Sequence, residues 1–154
     1  AHRAVWLLES GTGGGLDRAT LHPEVAPYVE SYEKAKKAVG FRVVAPELLL
    51  VSCMFGFAGR GDLIIELDGE GPCDLKTADP HWSHRFQVAA YTQAYKEEKR
   101  IRKTLRRWIL YLQSTGVMAR LVDLNKASTQ ERDFKGFCAI RDTYNLIQAN
   151  GGTG

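Results

Sequence analysis

Asp62, Asp74 and Lys76 have the types and spacing for chemistry on a phosphate. The stretch Gly59-Arg60-Gly61-Asp62-Leu63-Ile64 is followed by Cys73-Asp74-Leu75-Lys76-Thr77, and both read as strands. Asp74 and Lys76 are two apart, so on a strand they share one face. Two carboxylates that converge within a few ångströms repel each other and gain from a hard divalent cation between them. Mg²⁺ takes one or two carboxylates and fills its other positions with water and phosphate oxygens. Such an ion polarises a phosphate, orients water and stabilises a leaving oxygen. A lysine beside it positions the water and offsets developing negative charge. An Asp-x-Lys triplet alone is common, so the weight rests on context.

The surrounding elements must bring Asp62 to Asp74. Residues 41–44 and 48–51 are strand-like, Gly56 marks a turn, residues 57–67 form a second strand, and Gly69-Glu70-Gly71 form another turn before a third strand over 72–77. Short strands joined by glycine-bearing turns predict an antiparallel meander. With the turn at 68–71, Asp62 and Asp74 lie at unequal distances from it, so a bulge or bent strand is expected.

Two helices precede the meander. One covers residues 2–9 and ends near Ser10; the second opens at Pro23, stops at Gly40, and carries Val25, Val29, Tyr32, Ala35 and Val39 at helical spacing. Gly11-Thr12-Gly13-Gly14-Gly15 lacks the preceding strand and the closing Gly-Lys-Ser/Thr of a phosphate loop, so it reads as a connector. Asp79-Pro80 announces a third helix to about Glu98. Residues 108–112 and 117–122 then flank Ser114-Thr115-Gly116 as a hairpin. Ser128 or Thr129 caps a last helix with Phe134, Phe137, Ile140, Tyr144 and Ile147 on one side. The order α-α-β-β-β-α-β-β-α predicts one α/β domain over residues 1–154, with a central mixed sheet made of the meander and the C-terminal hairpin. The chain starts abruptly inside a helix, which leaves room for sequence upstream of His2.

Composition excludes several classes. With 44% hydrophobic and 25% charged residues, the chain matches neither a disordered tail nor a disulfide scaffold. Its longest aliphatic run, residues 48–51, is far short of the roughly 20 residues of a membrane span. Cys53, Cys73 and Cys138 are dispersed and odd in number, which predicts reduced thiols, mostly in the core, of a cytoplasmic protein. The net charge of +3 permits a polyanionic partner without requiring one. Lys99, Arg100, Arg102, Lys103, Arg106 and Arg107 form the densest basic cluster, readable as solvated surface or as a phosphate track. His81 and His84 read as helix-start histidines in preference to contacts with a phosphate or base, and Trp82 as a packing residue or a stacking platform.

Taken together, Asp62, eleven intervening residues, and Asp74-Leu75-Lys76 resemble the PD-(D/E)XK nuclease superfamily, and within it the RecB-like and phage-type exonuclease branch. That branch follows its strand pair with a helix bearing Gln-x-x-x-Tyr, which here is Gln87 to Tyr91. Residues at i and i+4 share a helical face, so both can look at one site. The branch also carries a histidine in an N-terminal helix, matched by His2. Ala26-Pro27-Tyr28, Glu47 and Phe55-Gly56-Phe57-Ala58-Gly59 extend the similarity. Gly61 stands where the name-giving proline would be, and Asp74 replaces the commoner glutamate.

The resemblance implies a restriction-endonuclease-like core and a Mg²⁺- or Mn²⁺-dependent DNA nuclease, exonucleolytic rather than site-specific. Asp62, Asp74 and Lys76 would be catalytic; Asp62, Asp74, the Leu75 carbonyl and His2 would hold the metal; Gln87 and Tyr91 would orient Lys76 or touch the substrate. Glu47 reads equally as a further metal-site carboxylate or as a surface residue. Three dispersed cysteines predict no iron–sulfur cluster. DNA is the implied partner, with self-assembly or a recombination protein as further candidates and no membrane. The implied setting is repair or recombination in a bacterial or phage-infected cell. An endonuclease on the same core, and a catalytically silent nucleic-acid-binding module, are the alternatives.

Overall fold

The computed structural model describes residues 1–11 and 16–151. Most of the glycine connector and the last three residues lie outside that range. Helices α1 (His2–Ser10) and α2 (Ala26–Val39) come first, separated by a 3-10 turn at Arg18–Thr20. Strands β1 (Arg42–Ser52), β2 (Phe57–Glu66) and β3 (Glu70–Lys76) follow, then α3 (Trp82–Lys99), β4 (Trp108–Tyr111), β5 (Arg120–Asp123), the short α4 (Leu124–Ala127) and α5 (Gln130–Ala149). The five strands form one sheet in the order β1-β2-β3-β4-β5. Every neighbouring pair is antiparallel except β3 and β4, which run parallel through the α3 crossover. The architecture is therefore α/β with a mixed five-strand sheet flanked by helices.

The core falls into three clusters, two of which pack on alternate positions of the central strands. Leu63, Ile65, Cys73, Leu75, Trp108 and Leu110 pack with Val5, Tyr32 and Ala35 of α1 and α2. The alternate positions Leu50 and Ile64 pack with Ala94 and Tyr95 of α3. Each fully buried leucine or isoleucine contributes roughly 1.5–3 kcal/mol. Among the described residues, no helix is long and apolar enough to cross a membrane.

Several expectations need correction. Helix α2 begins at Ala26 with Pro27 in its first turn; Pro23 lies in the preceding turn. Strand β1 is continuous from Arg42 to Ser52, because Ala45 and Pro46 pair with β2 as well. Strand β3 starts at Glu70, so the turn is only residues 67–69, with Asp68 at φ 50° and Gly69 at φ 124°. The link from β4 to β5 is no tight hairpin: residues 117–119 lie outside the strand, and the Ala119 amide donates to the Ser31 carbonyl. Helix α5 buries less than its pattern implies: Ile140, Tyr144 and Ile147 are exposed. Of the three thiols, only Cys73 is buried.

Candidate functional site

Corrected turn placement removes the need for a bulge between β2 and β3. Leu63 pairs with Cys73 and Ile64 with Pro72, so continuing the ladder by one step sets Asp62 against Asp74. The register shift lies elsewhere, in β1 between Val43 and Ala45. Glu47 sits between the partners of Leu63 and Gly61, level with Asp62.

His2 Nδ1 lies 3.2 Å from Asp62 Oδ1, and the Leu75 N–H donates to Asp62 Oδ2 at 2.8 Å. Lys76 Nζ lies 2.5 Å from Asp74 Oδ2 and donates to Gln87 Oε1 at 2.8 Å. Gln87 Nε2 donates in turn to the Tyr91 hydroxyl at 2.8 Å. The Tyr91 ring needs bare backbone beneath it: a Cβ on Gly59 would come within 2.7 Å of Tyr91 Cε1. Gly61 likewise leaves room for Leu50, whose Cδ1 would be 3.0 Å from an added Cβ.

The electrostatics of the two carboxylates diverge. Asp74 is 2% exposed. Burial, followed by the charge of Asp62, pushes its pKa up to about 7 against the pull of Lys76. Burial also works to raise Asp62, but the His2 hydrogen bond and charge and the Leu75 amide outweigh it and hold Asp62 below the usual carboxylate range. His2 is raised, chiefly by its hydrogen bond to Asp62. Asp74 Oδ2 is close to Lys76 Nζ in distance, yet it has no well-aligned hydrogen bond. It is a buried anionic oxygen with charge compensation and unused acceptor capacity.

That spare capacity suits a divalent cation, and two opposed carboxylates are the donors Mg²⁺ prefers. A cavity of about 10 Å³, close to the room of one water, is lined by His2, Glu47 and Asp62 together with Val5, Trp6, Leu63 and Leu75; Asp74 lies outside this lining. Among the described residues, no three His, Cys, Asp or Glu side chains are arranged as a ready-made metal cage. Mg²⁺ keeps several waters and does not require one. The contact that Leu75 makes here is through its amide, not the carbonyl expected as a ligand. Glu47 lines the cavity with its backbone at φ 47°, a costly value for a non-glycine residue, and its carboxylate lies 3.1 Å from Arg60 Nη1.

Outside this cluster the expectations fare unevenly. His81 caps α3 by accepting the Ser83 N–H. His84 reaches 3.2 Å from the Tyr111 hydroxyl, and Tyr111 is the register partner of Lys76. That neighbour was illegible beforehand, because a parallel pairing through a helix leaves no local spacing to read. The basic cluster loses two members: Arg107 is fully buried against Asp133, and Arg106 pairs with Asp123 at 2.8 Å, while Lys99, Arg100, Arg102 and Lys103 stay exposed. The Arg106 amide donates to the Glu70 carbonyl at the start of β3, whereas Lys76 ends it. At about 3.3 Å per residue the two lie roughly 20 Å apart. No protein-family model matches the sequence, and no curated protein matches it.

Proposed function

We propose that the chain is a divalent-metal-dependent DNA nuclease of the PD-(D/E)XK type, built on a restriction-endonuclease-like core and resembling RecB-like and phage exonucleases. One observation carries this reading: Asp74 is buried against a second carboxylate, with one lysine and an unmatched oxygen. Perturbed, converging titratable groups mark functional sites.

Asp62 and Asp74 would hold Mg²⁺ or Mn²⁺, with His2 and the Leu75 carbonyl as further ligands, and the bound ion would supply Lewis-acid polarisation of the phosphate. Lys76 holds the attacking water and offers positive charge where the phosphate gains negative charge. Gln87 fixes the Lys76 ammonium through its carbonyl, and Tyr91 fixes Gln87. In the metal-free chain His2 holds one Asp62 oxygen and the Leu75 amide the other, so that carboxylate stays ionised and oriented.

The test is cleavage of linear and covalently closed circular DNA with Mg²⁺ or Mn²⁺, comparing wild type with Lys76→Ala and Asp62→Ala. Degradation of linear DNA alone, slowed at least about 100-fold in both variants, is expected. Nicking of closed circles would make it an endonuclease. Equal inertness of all three proteins on every substrate removes the nuclease reading, and full activity of Lys76→Ala removes the lysine's role.

A further inference from the structure

A groove of about 380 Å³ opens between the start of β2, the first half of α3 and the middle of α5. It falls in the range of roughly 300–1,000 Å³ that holds small organic ligands. Its lining includes the small residues Ala58, Gly59 and Ala90 together with Phe57, Phe86 and Phe137. The rings are mutually braced: Phe57 and Phe137 have centroids 4.9 Å apart, and Trp82 lies edge-on to Phe86 at 5.3 Å. The surroundings stay open to solvent, with Ile140 47% and Trp82 55% exposed.

Two further lining residues are Gln87 and Tyr91. Gln87 holds Lys76 Nζ at 2.8 Å, so a molecule seated in the groove lies one side chain from the lysine. The groove is too aromatic to favour a phosphate and too open to serve as core. A flat aromatic ring fits a lining of three phenylalanines and Tyr91, with Ser83 and Gln87 at its side. We propose that this groove is a subsite for one unpaired nucleobase next to the scissile phosphate, so that the substrate is DNA with a single-stranded or frayed end. The inference rests on the nuclease reading and deepens it. A base reaches the groove only after leaving its duplex stack, and stacking on aromatic rings accepts any base. Three exposed apolar residues farther along α5, Tyr144, Leu146 and Ile147, are not part of the groove lining.

The experiment uses a single-stranded oligonucleotide and a set of the same oligonucleotide with one abasic position moved along it. Cleavage with Mn²⁺ and fluorescence-anisotropy binding in EDTA are both measured, for wild type and for Ile140→Glu and Phe137→Ala. The expected result is about a tenfold loss in kcat/KM and in affinity when the abasic position falls next to the cleaved bond. Both variants should level that difference; Ile140→Glu changes a surface residue and guards against simple misfolding. Equal handling of base and abasic positions by wild type, or retention of the difference in Ile140→Glu, overturns the subsite. If wild type cuts nothing, the nuclease reading falls and anisotropy alone judges the groove. A dimer in sedimentation that Ile140→Glu dissociates, with base dependence unchanged, would assign the groove to a subunit interface instead.

Discussion

Two aspartates are buried in this protein, and they are held in opposite ways. Asp133, on α5, is 0% exposed and has three partners: Arg107 Nη1 at 2.8 Å, Arg85 Nε at 3.3 Å and the Ser128 hydroxyl at 2.8 Å. Arg107 is also fully buried, and it donates to the Ser128 carbonyl at 2.8 Å. Asp74, on β3, is as inaccessible but faces another acid, and its Oδ2 lacks an aligned donor. The first arrangement ties α5 to the residue before β4 and sets one acid between two arginines. The second stores unfavourable charge in a place where a cation would relieve it. Burial alone therefore says little about an acid's task; the charge of the groups it faces says more.

The sharpest way to break this contrast is to neutralise each acid in turn. Asp74→Asn should lower DNA cleavage by about 10³-fold, the upper range for one electrostatic contact in a site. Its melting temperature should stay level or rise, since a neutral amide suits a site that already pushes the acid toward protonation. A large fall in melting temperature would mean that Asp74 is structural after all. For Asp133→Ala the outcomes reverse. Removing one partner of a buried ion pair costs about 3–5 kcal/mol. Denaturant unfolding should show that loss, while the folded fraction retains its specific activity.

A smaller effect concerns pH. Asp74 titrates near 7 when folded and near 3.8 in a model peptide, so between those values the folded chain holds the extra proton. Its contribution to stability is complete below about 3.8 and is lost as pH rises through 7. His2, raised by Asp62, has the same sign: its contribution is full below 6.5 and lost as pH rises through its folded pKa. Asp62, held low, acts oppositely, its contribution being present above 3.8 and lost as pH falls through its folded value. Metal-free protein should accordingly melt lower at pH 8 than at pH 5. Mn²⁺ or Mg²⁺ should raise the melting temperature more at pH 8, where it no longer competes with a proton. Saturating metal at about 100 times its dissociation constant adds about 2.7 kcal/mol. Thermal melts of wild type and Asp74→Asn at both pH values, with and without metal, check this; an unchanged pH response in the variant would place the titration elsewhere.

Much of the architecture was legible because it is local. Strand-like runs punctuated by glycines marked the strands between residues 41 and 77, and the i, i+4 pair Gln87 and Tyr91 sits on α3 as its spacing implied. Boundaries failed where tertiary contacts override propensity. Glu70 and Gly71 read as turn residues, yet Gly71 is buried strand: an added Cβ would lie 1.8 Å from the Arg106 carbonyl oxygen, so close approach of another backbone explains the glycine. Arg107 read as part of a basic surface, because nothing in its neighbourhood announces Asp133, 26 residues away.

By itself, the sequence determined which side chains could meet. Residue type and two-residue spacing put Asp74 and Lys76 on one face, and the hairpin put Asp62 within reach. The tertiary structure decided what their meeting amounts to. Only packing could remove water from Asp74, set it against Asp62 and leave one oxygen short of a donor, because desolvation and mutual repulsion depend on distance and burial rather than on residue order. Packing likewise turned scattered phenylalanines into a groove beside Lys76, and it took Arg107 out of the basic run to anchor α5.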